Sequence, residues 1–148
     1  MVQLVGAGDR LDPQQAPSTS DFDAVLAGPG LGGGQPLTAE LQRWLLDLWG
    51  RFEGPVIFDA DALICAKGAG AGPRVITPHP GEAGRLLGIR NTEVQANRFA
   101  IAHRLAPQSG ALLKGRHVGS LSMRTVARAM CRQERQAPVA SVAVRREV

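Results

Sequence analysis

No uninterrupted apolar stretch in this 148-residue chain approaches the roughly 18 residues that a membrane-spanning helix needs. The first ten residues lack a basic segment followed by an apolar run, so no secretory signal is expected. Only two cysteines occur, Cys65 and Cys131, far apart and without metal-ligand spacing. They are expected to be free thiols, serving as small apolar filler in a cytosolic protein. There is no Walker A segment, and the run Gly28-x-Gly30-x-Gly32 fails the dinucleotide fingerprint at its third glycine. A basic binding face is missing too, despite the net charge of +4. Residues 1–115 carry 10 Lys/Arg against 11 Asp/Glu, and residues 116–148 carry 7 Arg against 2 Glu. The positive charge therefore belongs to a terminal segment, which argues against a nucleic-acid surface.

What is present is a globular composition, 44% apolar, in a length that suggests one domain. Short apolar runs alternate with helical patterns. Asp23–Ala27, Val56–Phe58, Val75–Ile76 and Ala111–Leu113 are too short for helices and are bounded by glycine, proline or charge, so they predict strands near 23–27, 55–59, 74–77 and 111–114. Leu41, Trp44, Leu45, Leu48 and Trp49 share one face at helical spacing and predict a helix over 38–50, capped by Thr38, with both tryptophans in the core. A second helix is expected from about Glu82 to Leu87, closed by Gly88. A third is expected from Asn91 or Thr92 to about 106. Strands and helices in this order predict an α/β fold with a mostly parallel central sheet flanked by helices. Residues 116–148 hold one glycine against 17 earlier and do not continue this rhythm, although a helix over 122–135 is compatible with them.

In an open parallel sheet, ligands bind beyond the carboxyl ends of the strands. All four predicted strands end in unusual residues: Gly28 to Gly34, Asp59 with Asp61, Thr77 to Glu82, and Lys114-Gly115. Glycines let backbone N–H groups approach an anion. Lys114 supplies a full positive charge, Asp59, Asp61 and Glu82 can hold Mg²⁺ directly or through water, and His79 can donate to or accept from a polar ring substituent. One such feature is ordinary. Four facing one crevice suggest a site for a nucleotide and a second ligand.

The residues Ala27-Gly28-Pro29-Gly30-Leu31-Gly32, Val56-Ile57-Phe58-Asp59-Ala60-Asp61-Ala62-Leu63, Val75-Ile76-Thr77-Pro78-His79-Pro80-Gly81-Glu82-Ala83 and Leu112-Leu113-Lys114-Gly115 resemble, in order and spacing, four motifs of the NAD(P)H-hydrate dehydratases. The resemblance spans about residues 20–117. It implies the three-layer ribokinase-like fold, here incomplete at both ends, with residues 1–117 a partial dehydratase domain of carbohydrate-kinase type and 118–148 an Arg-rich tail outside the family pattern. It implies repair of NADHX and NADPHX, with ADP or ATP phosphorylating the added hydroxyl and elimination restoring the dihydronicotinamide. By the same carry-over Gly28, Gly30, Gly32, Asp61 and His79 contact the hydrated dinucleotide. Lys114, Gly115, Arg116, His117 and Val118 contact the adenine nucleotide, and Glu82 positions Mg²⁺ and its waters. A homo-oligomer is left open, and neither a membrane nor a nucleic-acid partner is expected.

Two departures stand out. Ile64 occupies the position where the family carries Asn, and the Gly-Gly-x-Gly-Asp segment that supplies an anion hole and the Asp base is absent from residues 116–148. No catalytic base is therefore assigned, and the chain is expected to be inactive alone; a change of reading frame near Val118 would explain the abrupt shift in composition. Two alternatives are a small-molecule kinase of the same superfamily, acting on a thiazole or pyrimidine alcohol, and a non-catalytic nucleotide-binding module. His79 in place of the kinases' Asn favours the dehydratase.

Overall fold

A computed structural model describes residues 2–4, 18–19, 22–106, 110–114, 119–120 and 141–145. Among them are seven strands: β1 (Val2–Leu4), β2 (Phe22–Ala27), β3 (Val56–Phe58), β4 (Arg74–Ile76), β5 (Gly110–Leu113), β6 (Gly119–Ser120) and β7 (Ser141–Arg145). Four α-helices accompany them: α1 (Ala39–Arg51), α2 (Pro80–Leu87), α3 (Asn91–Ala96) and α4 (Arg98–Leu105). A 3-10 helix, Ala60–Cys65, follows β3. Strand order is β1-β7-β2-β3-β4-β5-β6. The central four, β2 to β5, run parallel, with Val25 opposite Val56, Ile57 opposite Val75, and Ile76 opposite Ala111. This is the α/β architecture that the alternation of apolar runs and helices predicts. No helix of the described residues is long and apolar enough to cross a membrane.

Helix α1 forms where its apolar spacing places it. The hydroxyl of Thr38 accepts from Leu41 N, and Leu41, Leu45, Leu48 and Trp49 are buried against the sheet. Trp44 is only partly buried at the edge of that core. Trp49 meets Phe58 of β3 at 4.8 Å between ring centroids, with planes tilted by 39°. Such tilted contacts avoid facing two electron-rich ring faces. Ala27, Val56, Phe58, Ile76 and Ala111 complete this layer.

Three elements differ from expectation. Helix α2 starts at Pro80, two residues early, because His79 caps it and proline suits the first helical position, where its missing N–H costs nothing. Gly88 closes it in the left-handed region, φ 67°. The helix after it begins at Asn91 with Arg90, rather than Asn91 or Thr92, at the N-cap position. It then breaks at Asn97 (φ −143°, ψ 58°) into α3 and α4. Asparagine holds helical backbone weakly, and the break lets Val94 of α3 and Ile101 of α4 both reach the cluster around Ala83 and Leu113. Within the tail, the backbone of 141–145 runs antiparallel to β1 on one side and β2 on the other, and Gly119–Ser120 pairs with β5. The helix compatible with 122–135, Cys131, and Gly115 to Val118 lie outside the described residues.

Arg74 was not singled out by the sequence, and it is 2% exposed. At the start of β4, on the side of the sheet away from the crevice, it donates to the carbonyls of Trp49, Phe52, Gly54 and Pro73. The carbonyls at the end of α1 have no helical partners, and the guanidinium supplies them while lying 5.8 Å from the Trp49 ring. Burial pulls its pKa below the ordinary arginine value.

Candidate functional site

Parallel strands with helical returns bring the ends of β2, β3, β4 and β5 to one edge of the sheet, where the sequence places its unusual residues. Adjacent strand ends are tied by backbone bonds: Asp59 N donates to Ala27 O, Thr77 N to Phe58 O, and Lys114 N to Pro78 O at 2.9 Å. His79 and Lys114 thus lie on neighbouring strand ends. Across β4, the Lys114 Nζ and Asp59 Oδ1 atoms are 2.5 Å apart, with the two side chains 40% and 19% exposed.

The glycine-rich turn packs closely on the β3 end. Gly28 has φ 144°, and a Cβ there would collide with the Asp59 carbonyl, so only glycine fits. The Gly32 amide donates to Asp61 Oδ2 at 3.1 Å, linking the turn to the 3-10 helix. Leu31 N, Gly33 N and Gln35 N donate to Gly28 O, Gly30 O and Gly32 O in successive turns. The turn was expected to offer its amides to an anion; these four are occupied within the chain. Its glycines serve conformation and close packing first.

His79 and Glu82 form a reciprocal cap at the start of α2. Nδ1 of His79 accepts from Gly81 N at 3.0 Å and Glu82 N at 3.4 Å, and Glu82 Oε2 accepts from His79 N at 2.7 Å. Glu82 Oε1 faces His79 Nε2 at 3.2 Å. Glu82 was expected to position Mg²⁺; both its oxygens here face His79. Among the described residues no group of three or more His, Cys, Asp or Glu could hold a metal ion. The described residues therefore do not by themselves build a site for a resident ion.

Beside this turn lies a cleft of about 420 Å³, lined among others by Gln35, Asp61, Ile64, Glu82 and Arg85. That is within the size range of small-molecule pockets. Ile64, which stands where the resemblance expects Asn, is 55% exposed on its wall. Asp61 lines the cleft together with Glu82, and His79 sits at the cap of α2. Arg98 is a residue that no sequence pattern singles out. From the start of α4 it donates to the carbonyls of Leu113 and Lys114 at 2.8 and 3.0 Å. It holds the backbone that carries Lys114, and its partners are carbonyls 15 and 16 residues away, which no local pattern marks.

A family model described as NAD(P)H-hydrate dehydratase matches residues 2–118. The chain belongs to this family. It is 41% identical over 97 residues to the bifunctional NAD(P)H-hydrate repair enzyme Nnr of Escherichia coli, covering 63% of this chain and 18% of that protein. It is 37% identical over 105 residues to the ADP-dependent (S)-NAD(P)H-hydrate dehydratase of Neisseria meningitidis, covering 64% of this chain and 34% of that protein. Among solved structures, the Bacillus subtilis ADP/ATP-dependent NAD(P)H-hydrate dehydratase co-crystallized with ATP/Mg²⁺ is 33% identical, with a TM-score of 0.58 over 72% of this chain and 38% of that one. The chain thus spans between about a fifth and two fifths of the length of these relatives. The family match ends at residue 118, where the glycine content falls.

Proposed function

We propose that this chain carries the ligand-facing crevice of an ADP/ATP-dependent NAD(P)H-hydrate dehydratase, acting on NADHX and NADPHX, without the machinery to turn them over. The observation that carries the reading is the convergence of four strand ends within one family-matched region, with Lys114 and Asp59 paired across β4. In this reading Gly28, Gly30, Gly32, Asp61 and His79 face the hydrated dinucleotide, and Lys114 meets the phosphates of ADP or ATP. Gly115, Arg116, His117 and Val118 would extend the nucleotide side, outside the described residues. Mg²⁺, when bound with the nucleotide, neutralises phosphate charge; in this reading the ion arrives with the phosphates, since the described residues build no site for it alone.

Phosphoryl transfer depends on positioning and charge stabilisation, with a base to accept the substrate hydroxyl proton. Lys114 supplies a cation, steadied by Asp59 and by Arg98 behind it. The Gly-Gly-x-Gly-Asp segment does not occur in the sequence. General base catalysis contributes roughly 10²- to 10⁴-fold, and a missing anion-hole donor costs roughly 10²- to 10³-fold. Asp59 and Asp61 do not replace the base, since the first is paired with Lys114 and the second holds Gly32.

The test pairs calorimetry of NADPHX and ADP with a coupled assay for NADPH recovery in the presence of nucleotide and Mg²⁺. The expected result is binding without measurable turnover. Turnover on the order of 1 s⁻¹, in the usual enzyme range, would overturn the inactivity claim. Failure to bind either ligand would overturn the site itself.

A further inference from the structure

The first turn of α2 commits the polar atoms of both His79 and Glu82 inside the chain. Two backbone N–H groups, of Gly81 and Glu82, point at His79 Nδ1, so that nitrogen is an acceptor and carries no proton. The proton of the neutral ring is then on Nε2, which faces Glu82 Oε1 at 3.2 Å. The other oxygen of Glu82 accepts from the His79 backbone N–H at 2.7 Å. The Glu82 side chain is 12% exposed and that of His79 is 50% exposed. The ring is therefore held at both nitrogens, and its exposed half offers a ligand ring surface rather than a free donor. Drawing the carboxylate to a metal would break the cap and release the ring together.

We propose that Glu82 is a positioning residue for His79: its carboxylate holds the imidazole in the Nε2–H form and presets the ring surface shown to the crevice, and it is not a metal ligand. The part of the test that uses a ligand rests on the dinucleotide reading; the part on the free protein does not.

The first measurement is nitrogen-15 NMR of the ring of His79 in the ligand-free chain, with its signals identified by their loss in His79→Asn. A single Nε2–H form is expected, with a slowly exchanging Nε2 proton. Glu82→Gln should lose that slow exchange, and millimolar Mg²⁺ alone should leave the wild-type ring signals in place. A mixture of ring forms in the wild-type chain, or ring signals that move with Mg²⁺ alone, would overturn the proposal, and both are read on the wild-type chain. The second measurement is NADPHX affinity by calorimetry. Glu82→Gln should weaken it roughly 2- to 12-fold, the range of one net hydrogen bond, equally with and without Mg²⁺. The double variant with His79→Asn should bind no more weakly than His79→Asn alone, because Glu82 acts through the ring. Losses that multiply, or that appear only with Mg²⁺, would assign Glu82 to the metal instead. A held ring in a chain that binds no NADPHX would support the positioning role while removing the dinucleotide reading.

Discussion

The side chains at the strand ends have two tasks, and replacements separate them. Lys114 and Asp59 come from strands that are not neighbours, so their 2.5 Å contact exists only through the sheet. With Lys114 40% exposed, solvent screens the pair and its contribution to stability is small. Lys114→Met is expected to change stability by less than about 1 kcal/mol while weakening ADP binding on the order of tenfold, the scale of a hydrogen bond to a charged group; denaturant titration and calorimetry measure the two. His79 behaves differently. Its ring caps α2. His79→Ala is therefore expected to cost about 1 kcal/mol, the usual loss of an N-cap, and His79→Asn less, because asparagine also caps. Ile64 is on the surface of the cleft, so Ile64→Asn should alter stability by no more than about 0.5 kcal/mol and tighten NADPHX binding. Unchanged affinity in that variant would remove position 64 from the site.

Among the secondary elements, the join between α1 and β4 rests on one buried cation. Arg74 donates to four carbonyls, of which that of Pro73 also accepts from Val56 N. Arg74→Met fills similar volume but removes the guanidinium from the carbonyls of Trp49, Phe52 and Gly54, and unfolding should become easier by about 3 kcal/mol, since each buried unsatisfied group costs about 1–3 kcal/mol. A loss below about 1 kcal/mol in denaturant unfolding would mean that water replaces the guanidinium. The 3-10 helix carries a pH dependence. Burial raises the Cys65 thiol above its ordinary pKa, and the nearby Lys67 offsets part of that shift. The unfolded thiol ionises first, near about pH 8.5. The contribution of Cys65 is thus complete below that pH and lost as pH rises through the folded value. Unfolding free energy should fall above about pH 8.5, and Cys65→Ala should flatten that fall at a packing cost of about 1 kcal/mol. An equally steep fall in the variant would place the alkaline sensitivity elsewhere.

For the whole molecule, the open question is how residues 116–148 relate to the family-matched part. Their composition, one glycine with 7 Arg against 2 Glu, sets them apart, and we propose that they form a separate tail. The described backbone of 141–145 nonetheless lies between β1 and β2. Brief trypsin treatment should cut first after arginines between 116 and 135, because weakly packed segments open at low free-energy cost. Since β7 pairs on both sides, the released C-terminal piece should remain with the core until denaturant is added. Protection of 116–135 to the level of residues 55–106 would refute a separate tail.

The sequence by itself determined the local elements and the residue types at the strand ends. Apolar runs of two to five residues bounded by glycine, proline or charge are too short for helices and predict buried strands, and Thr38 and Gly88 mark helix ends through their own backbone chemistry. The strand-end motifs were legible for the same reason: each is contiguous. What stayed hidden depends on atoms far apart in the chain. Arg74, Arg98 and the Lys114–Asp59 contact join groups 15 to 55 residues apart, and the ends of such pairs carry no mark of each other until the sheet forms. The role of Glu82 depends on geometry at a smaller scale. A carboxylate three residues after a histidine reads equally as a metal ligand or as half of a cap, and only the fold of the first turn brings its two oxygens onto His79.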